Sequence, residues 1–566
     1  MDDESQPPME SGWRDFFNSN HANFWYGLIV IGILMRLFGS QISALHVDTH
    51  MHVAYATNFV ESGIFELDWG PARNPFFPDA SNPDGVGSDV GWTYAIWHLW
   101  LAGWVALFGR SEGVIHMSSL FISAVLIFTT WKLTKSRFGK HGALRVTALV
   151  AIHPSLVAAS INGLQEEAIA LFLMLGCAAA LSGLDQLNDG RKPFYWAAIP
   201  LIALIVSMIK GMGTTVPLVG SIIVILWLVM ERRIDPEEGM LRKQPLLFLS
   251  GMAVFVWVAL LLPAWLNPSA GWSLSWSVVN PWPFIQAIVI TIVIFGIVWG
   301  GIGLLAWPYA KSLFRRLKNG DIPSEALHLL LFTWLSFCVI VLFNASFWAH
   351  EGSILGMSIF ETSTLYYRNG RYVSLLLIPF QWLLLLLVFH SNKIRDDANG
   401  DEETASPSST KPILRDDFTL GAQSRVLFVT ILILISMSSY FLFMDEHDAE
   451  DVSETVGGIL EDEGEFLLVT PPKAGMHRLY EHHMGVDPDL SRDILGHWRS
   501  DDYDWRTELS GCSLLNDDSG NLSNVSVVVL DPFIEGEMGV DWTENKESGS
   551  DGWRVFTWNG SSPRCQ

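Results

Sequence analysis

Long apolar runs recur along most of the chain and constrain its fold more than any other feature. Half of the 566 residues are hydrophobic. About eleven segments approach the roughly 20 apolar residues that a membrane-spanning helix needs, so we expect an all-α polytopic membrane domain. The predicted spans are 24–45, 113–131, 143–161, 168–185, 194–210, 214–230, 246–265, 284–306, 325–344, 371–390 and 425–444.

The distribution of Lys and Arg between the predicted loops indicates the topology. If the further apolar run 92–109 does not span, nearly all basic residues of the membrane part lie on one side, which the positive-inside rule makes cytoplasmic. We therefore expect 92–109 to form a Trp-rich juxtamembrane or re-entrant helix. The basic loops on the cytoplasmic side are 132–142, 186–193, 231–245, 309–323 and 391–424.

This topology divides the chain into five parts. A cytoplasmic tail (1–23) precedes a transmembrane domain (24–390), whose first external loop is 46–112. We expect no cleavable signal peptide, because the acidic N-terminal stretch lacks a basic n-region. The later parts are a disordered cytoplasmic linker at 391–424, a last span at 425–444 and an extracytoplasmic C-terminal domain at 445–566.

Strand-like runs at 525–533 and 553–558 predict a small α/β fold for the C-terminal domain. The formal net charge of −24 argues against a nucleic-acid partner, which would select a basic surface. Cys177 and Cys338 lie in apolar segments, so we expect them to be packing residues. Cys512 and Cys565 lie in the polar C-terminal part and could pair in an oxidising compartment.

The stretch HVDTHMHVAYATNFVESG (46–63) follows the first span and places Asp48 at the membrane–water boundary. A carboxylate there can serve as a general base, as a ligand of an ion, or as a helix N-cap. In an extended segment, the alternating His46, Asp48, His50 and His52 would share one face and could bind a divalent metal. We favour a helix over 49–62, which places Asp48 and His52 one turn apart.

This stretch resembles the first-loop motif D-E-x-x-Y-x-x-x-A-x-x-h-x-x-x-G of membrane glycosyltransferases that use polyprenyl-phosphate sugars. That GT-C superfamily includes the family-39 protein O-mannosyltransferases and the lipid A aminoarabinose transferases. Asp48 matches the catalytic acid and Ala56 the small helix residue. Thr49 stands in place of the usual second acid, and His52 in place of the usual tyrosine.

Three further stretches, in the same order as in these enzymes, extend the resemblance over about residues 24–390. GWTYAIWHLWLAGWVALFG (91–109) resembles the loop helix before the second span, and AIHPSLVAASINGLQEEAIALF (151–172) the end of the third span with its acidic loop. YYRNGRYVSLLLIPF (366–380) resembles the R-Y-x(n)-P start of a late span. The resemblance implies a GT-C fold of about eleven spanning helices.

The resemblance also implies roles for particular residues. Asp48 would be the catalytic base, with Glu166 or Glu167 as a second acid, although both glutamates begin a helix and dipole capping explains them too. Lys210 is equally explained by snorkelling to the interface. The predicted substrate-binding residues are His52, Arg73, Lys210, Arg368, Arg371 and Tyr372.

The predicted function is transfer of a sugar from a polyprenyl- or dolichyl-phosphate donor to a protein, lipid or glycan acceptor on the extracytoplasmic face. The membrane would be the cell membrane or, in a eukaryote, the endoplasmic reticulum. The sequence identifies no particular cofactor, and a divalent metal is an open alternative. One competing hypothesis is a transporter or flippase of a lipid-linked or anionic solute, which predicts charged residues buried within spans and inverted repeats. Another is a membrane scaffold that displays the C-terminal domain.

Overall fold

The computed structural model describes most of the helical part and the core of the C-terminal domain. The described residues are 22–63, 94–185, 192–211, 244–266, 281–298, 324–354, 358–365, 367–386, 431–439, 449–460, 464–471, 477–487, 492, 494–501, 504–511, 522–545 and 552–560.

Helices account for nearly all of the described membrane part. Its elements are α1 (Ala22–Ile42), α2 (Val47–Ser62), α3 (Ala95–Phe108), α4 (Glu112–Ile152), α5 (Pro154–Ile161), α6 (Glu166–Asp185), α7 (Lys192–Lys210), α8 (Pro245–Leu266), α9 (Pro281–Val298), α10 (Ser324–Ile354), α11 (Ile359–Leu365), a 3₁₀ helix (Tyr367–Leu376), α12 (377–386) and α13 (431–439).

Three of the described helices are long and apolar enough to cross a membrane: Ala22–Ile42, Glu112–Ile152 and the segment Glu325–Ala349 of α10. Five shorter apolar helices accompany them. The predicted polytopic helical fold therefore agrees with the structure. The total of about eleven spans stays a prediction, and the predicted span 214–230 lies outside the described residues.

The prediction that residues 132–142 form a loop is wrong. Helical structure runs through it, and α4 is interrupted only at Gly139, whose φ of 75° is non-helical. The Lys, Leu and Arg residues of this stretch are good helix formers, so their charge does not end the helix. Gly139 adopts the left-handed region at little steric cost, which explains where the kink falls.

Within the run 92–109, residues Ala95–Phe108 form α3, which has 14 residues. At 1.5 Å per residue this helix is about 21 Å long, short of the roughly 30 Å hydrocarbon core. The juxtamembrane or re-entrant position of α3 stays a prediction. The helix packs against α2, and Trp97 and Leu101 join the main apolar core of the membrane part.

The C-terminal part folds around a five-stranded sheet. Its elements are α14 (Glu450–Ile459), β1 (Glu465–Thr470), α15 (His477–Val486), β2 (Leu495–Ser500), α16 (Trp505–Gly511), β3 (Val525–Leu530), β4 (Trp542–Asn545) and β5 (Arg554–Trp558). The strand order is β2-β1-β3-β5-β4. Strand β1 is parallel to β2 and β3, whereas β5 is antiparallel to β3 and β4.

Helices cover both faces of this sheet, which explains the continuous apolar run in β3. Val527 and Val529 pack in a core shared with α14, and Val528 and Leu530 in a second core shared with α16. The strand-like runs of the sequence thus correspond to β3 and β5. Cys177 and Cys338 are buried free cysteines, and the remaining two lie outside the described residues.

Candidate functional site

Four charged side chains from four separate elements meet at the end of the helix bundle. We call them the outer cluster: Asp48 of α2, Glu166 of α6, Lys210 of α7 and Arg371 of the 3₁₀ helix. Three are largely buried, whereas the side chain of Asp48 is 38% exposed. A molecule that approaches the cluster therefore meets the Asp48 carboxylate first, with two cations behind it.

The guanidinium of Arg371 links the two carboxylates. Its Nε donates a hydrogen bond of 2.9 Å to Oε1 of Glu166, and its Nη2 lies 3.4 Å from Oδ2 of Asp48. Charge-assisted bonds of this kind are about twice as strong as neutral ones. The short bond fixes Arg371 against Glu166, while the longer contact leaves Asp48 more loosely held.

Lys210 completes the cluster from the last turn of α7. Its Nζ lies 3.7 Å from Oε1 of Glu166 and 4.7 Å from the ring centroid of Tyr372. The guanidinium carbon of Arg371 lies 5.4 Å from the same centroid. Both cations thus lie within cation–π range of Tyr372, which limits the directions in which they move.

Helix α2 begins two residues earlier than a capping role for Asp48 would require. The N-cap is His46, whose Nδ1 accepts a hydrogen bond of 3.1 Å from the backbone N–H of Asp48. The capping interpretation of Asp48 is therefore wrong. The Asp48 carboxylate lies in the first turn, where the helix dipole stabilises its charge.

The start of α2 is fastened to the turn that precedes Glu166. Thr49, which replaces the second acid of the resembling motif, donates a hydrogen bond of 2.9 Å to the carbonyl of Asn162. The next residue, Gly163, has a φ of +72°, and a Cβ there would lie 2.7 Å from the Thr49 methyl. Glycine therefore satisfies both the backbone conformation and the close packing. This contact sets the spacing between Asp48 and Glu166.

A buried polar network lies one turn further along α2. Nδ1 of His52 is 2.9 Å from Nε2 of His98 in α3, and the Gln165 amide nitrogen makes a close contact with Nε2 of His52. Both ring nitrogens of His52 therefore have a hydrogen-bonding partner, and the tautomer of His52 sets which of them donates. Burial, with His98 next to it, holds the pKa of His52 well below its usual range.

A substrate contact of His52 stays a prediction. Its side chain is buried, and its two ring nitrogens contact His98 and Gln165. Sequence reasoning also missed His98 and Gln165. His98 is the single ionisable residue in the apolar helix AIWHLWLAGWVALF, a signal that could have been used.

The two adjacent glutamates of α6 point to different places. Successive helix residues are about 100° apart, so Glu166 and Glu167 cannot share a face. Glu167 pairs with Arg36 of α1 at 2.8 Å, and the two side chains are each only 2% exposed. We call Arg36 and Glu167 the inner pair.

The inner pair is surrounded by hydrogen-bonding partners inside the bundle. Arg36 also donates to the carbonyls of Gly32, Ala151 and Val150. Ser123 donates to the other oxygen of Glu167. A Cβ on Gly32 would collide with the Ala151 carbonyl, so glycine allows the close approach of α1 and α4 that this network needs.

The side chains of two predicted substrate-binding residues, Arg73 and Arg368, are outside the described part of the structure. Arg73 lies outside the described residues, and Arg368 is described only in its backbone, within the 3₁₀ helix. The helical conformation of α2 removes the extended face on which alternating histidines would bind a metal. Among the residues that the structure describes, no group of three or more His, Cys, Asp or Glu side chains is placed to hold a metal ion.

No family model matches the chain, and no curated protein matches it. Among solved structures, it is similar to the crystal structure of ArnT from Cupriavidus metallidurans bound to undecaprenyl phosphate, with 12% sequence identity and a TM-score of 0.44. That match covers 96% of this chain and 99% of the other. At this identity and TM-score the likeness is no basis for assigning an activity.

Proposed function

We propose that this protein is an integral membrane glycosyltransferase that moves a sugar from a polyprenyl- or dolichyl-phosphate donor to an acceptor hydroxyl. The observation that carries the proposal is the outer cluster: a partly exposed carboxylate, Asp48, contacts Arg371, and Glu166 holds Arg371 next to a second cation, Lys210. The sequence motifs around these residues resemble the same class of enzyme.

The reaction is a single inverting displacement. Asp48 accepts the proton of the acceptor hydroxyl as its oxygen attacks the anomeric carbon, and the bond from that carbon to the phosphate oxygen breaks. The polyprenyl phosphate leaves with the bonding electron pair. A positioned base contributes typically about 10²–10⁴-fold to such a step.

Arg371 and Lys210 stabilise the charge that develops on the leaving phosphate. Prearranged cations in a water-poor site stabilise such charge without reorganising during the reaction. Glu166 has its carboxylate fully buried against both cations, so it acts by holding them in place. The longer contact between Arg371 and Asp48 is the one that a donor phosphate would replace.

His52 and Thr49 support the site from behind. Thr49 ties α2 to the turn before Glu166, and His52 ties α2 to α3 and to Gln165. Neither side chain needs to contact a substrate to influence the reaction. We assign them as positioning residues that keep Asp48 at a fixed distance from Arg371.

A second candidate function, transport of an anionic or lipid-linked solute, is favoured by the inner pair, because ionisable residues inside spans often mark a transport path. The partners of Arg36 and Glu167 all belong to the helix packing, however, which suits a structural pair. Solute uptake or lipid flipping by proteoliposomes, with no transfer product, would favour transport.

The test of the proposed function is an in vitro transfer assay with a panel of polyprenyl-phosphate sugars and hydroxyl acceptors. The wild-type chain should transfer at least one sugar and form a product of inverted anomeric configuration. Asp48→Asn should lose the activity. Glu361→Gln is a matched control, because Glu361 is also an acidic residue in the first turn of a helix. Its carboxylate is exposed and accepts a hydrogen bond from the backbone N–H of Ser358. Equal activity of Asp48→Asn and Glu361→Gln would refute the role of Asp48.

A further inference from the structure

The C-terminal domain packs directly on the helix that carries Asp48. Its helix α15 contacts α2. Met484 of α15 belongs to the same apolar core as Val53 and Ala56 of α2. The C-terminal domain and the outer cluster therefore lie on the same side of the predicted membrane domain.

A hydrogen bond beside this contact joins the two parts of the chain. Arg110, between α3 and α4, donates through Nη1 to the backbone carbonyl of Asp487, at 3.0 Å. Asp487 directly follows α15, and its carboxylate accepts from the backbone N–H of Arg492. Arg492 in turn donates to the carbonyl of Gly457 in α14, at 2.7 Å. Arg110 is thus connected to the body of the C-terminal domain.

Helix α2 needs support of this kind. It has 16 residues, and isolated helices shorter than about 12–15 residues are marginal in water, so one of this length gains little stability on its own. Helix α3 covers one side of α2, and α15 packs on another. His50 lies at the junction, buried, with its Nε2 3.6 Å from Glu112 at the start of α4.

We propose that the C-terminal domain is a positioning element of the outer cluster. By packing α15 on α2 and by accepting the Arg110 hydrogen bond at Asp487, it fixes the angle at which α2 presents Asp48 to Arg371. Among the described elements of the membrane part, α2 is the one that α15 packs on most extensively, so loss of this support would displace Asp48 relative to Arg371, Glu166 and Lys210. The kinetic part of this inference rests on the proposed function.

The experiment uses the full-length protein in nanodiscs and measures both amide hydrogen exchange of residues 47–62 and transfer kinetics. Arg110→Ala should accelerate exchange in α2. It should lower kcat by about 10- to 100-fold, since a misplacement of the order of 1 Å can cost about 100-fold. The donor KM should stay within about twofold, because the proposed phosphate contacts are not on α2. Arg110→Lys, which retains a donor cation, should restore much of kcat.

Arg506→Ala is the matched control. Arg506 also donates to a backbone carbonyl, that of Glu535 at 3.2 Å, but within the C-terminal domain and on its exposed surface. It should change neither measurement. If Arg110→Ala does not fold, Met484→Ala tests the same contact from the other side.

Two results would overturn the inference: accelerated exchange in α2 with unchanged kcat, or unchanged exchange in both Arg110→Ala and Met484→Ala. A wild-type chain with no transfer activity would instead count against the proposed function. The exchange data alone would then decide whether α15 holds α2.

Discussion

The outer cluster and the inner pair start from adjacent residues of the same helix, yet they are built differently. Glu166 joins two cations and a second carboxylate that is 38% exposed. Glu167 joins one arginine in a site where both side chains are 2% exposed. The donors of Arg36 are used within the bundle, whereas the contact between Arg371 and Asp48 is long enough to be exchanged for a ligand.

This difference shows that an ion pair beside a candidate active site need not belong to it. A buried pair with its hydrogen bonds satisfied is expensive to break and changes little when a ligand binds. A cluster with one open carboxylate can exchange partners. The predictions below separate the two regions by asking which variants affect folding and which affect transfer.

The largest expected effect is on the stability of the inner pair. Glu167→Ala leaves the Arg36 charge buried and unpaired, which should cost about 3–5 kcal/mol of unfolding free energy. Thermal unfolding of the detergent-solubilised protein measures this loss. The double variant Arg36→Met with Glu167→Met should recover much of it, because apolar replacements of a buried pair are often neutral. A double variant as unstable as Glu167→Ala would contradict the prediction that apolar side chains can replace the pair.

In the outer cluster, Arg371→Ala should lower kcat by about 10²–10³-fold, the usual cost of removing one group that stabilises transition-state charge. Arg371→Lys keeps the charge but not the fork that reaches both carboxylates, so it should recover only part of the rate. Transfer kinetics, expressed per folded molecule, test both variants. If Arg371→Lys restored full activity, the bridging geometry would be irrelevant.

A smaller effect, on the stability of the fold at acidic pH, should come from His50 of α2. Burial, with Arg110 next in importance, lowers the pKa of His50 from 6.5 to about 3. Between these values the unfolded chain binds a proton that the folded chain does not, so stability should fall as pH drops below 6.5 and level off near 3. At pH 5 the loss from His50 is about 2 kcal/mol relative to neutral pH.

The other titratable or charged groups that act on His50 are Arg110, His46, His482, His116 and Glu112. Unfolding free energy as a function of pH, compared between the wild type and His50→Gln, isolates the contribution of His50. The variant should show a flatter acid limb. An identical limb in both proteins would contradict this assignment.

Much of the helical fold could be predicted from hydrophobicity alone. The expected spans 168–185, 194–210 and 246–265 agree with α6, α7 and α8 to within two residues at each end. The prediction of a loop at 132–142 was wrong because basic residues indicate the cytoplasmic side of a membrane but do not terminate a helix. Only Gly139 signals the kink.

The candidate site was partly visible in the sequence. The sequence predicts that Asp48, Glu166, Lys210 and Arg371 lie on one side of the membrane, and the structure brings them together. The choice between Glu166 and Glu167 could not be made, because only packing shows which helix face meets Arg371. The contact of α15 with α2 joins segments more than 400 residues apart, and no local pattern encodes it.

The most direct test of the account compares Asp48→Asn with Glu167→Gln in the full-length protein, measuring kcat and the midpoint of thermal unfolding for each. We expect Asp48→Asn to lose about 10²–10⁴-fold in kcat with little change in stability. Glu167→Gln should be destabilised, while the molecules that remain folded should transfer at close to the wild-type rate. Full activity of Asp48→Asn, or loss of transfer by folded Glu167→Gln at unchanged stability, would contradict the separation of the two regions.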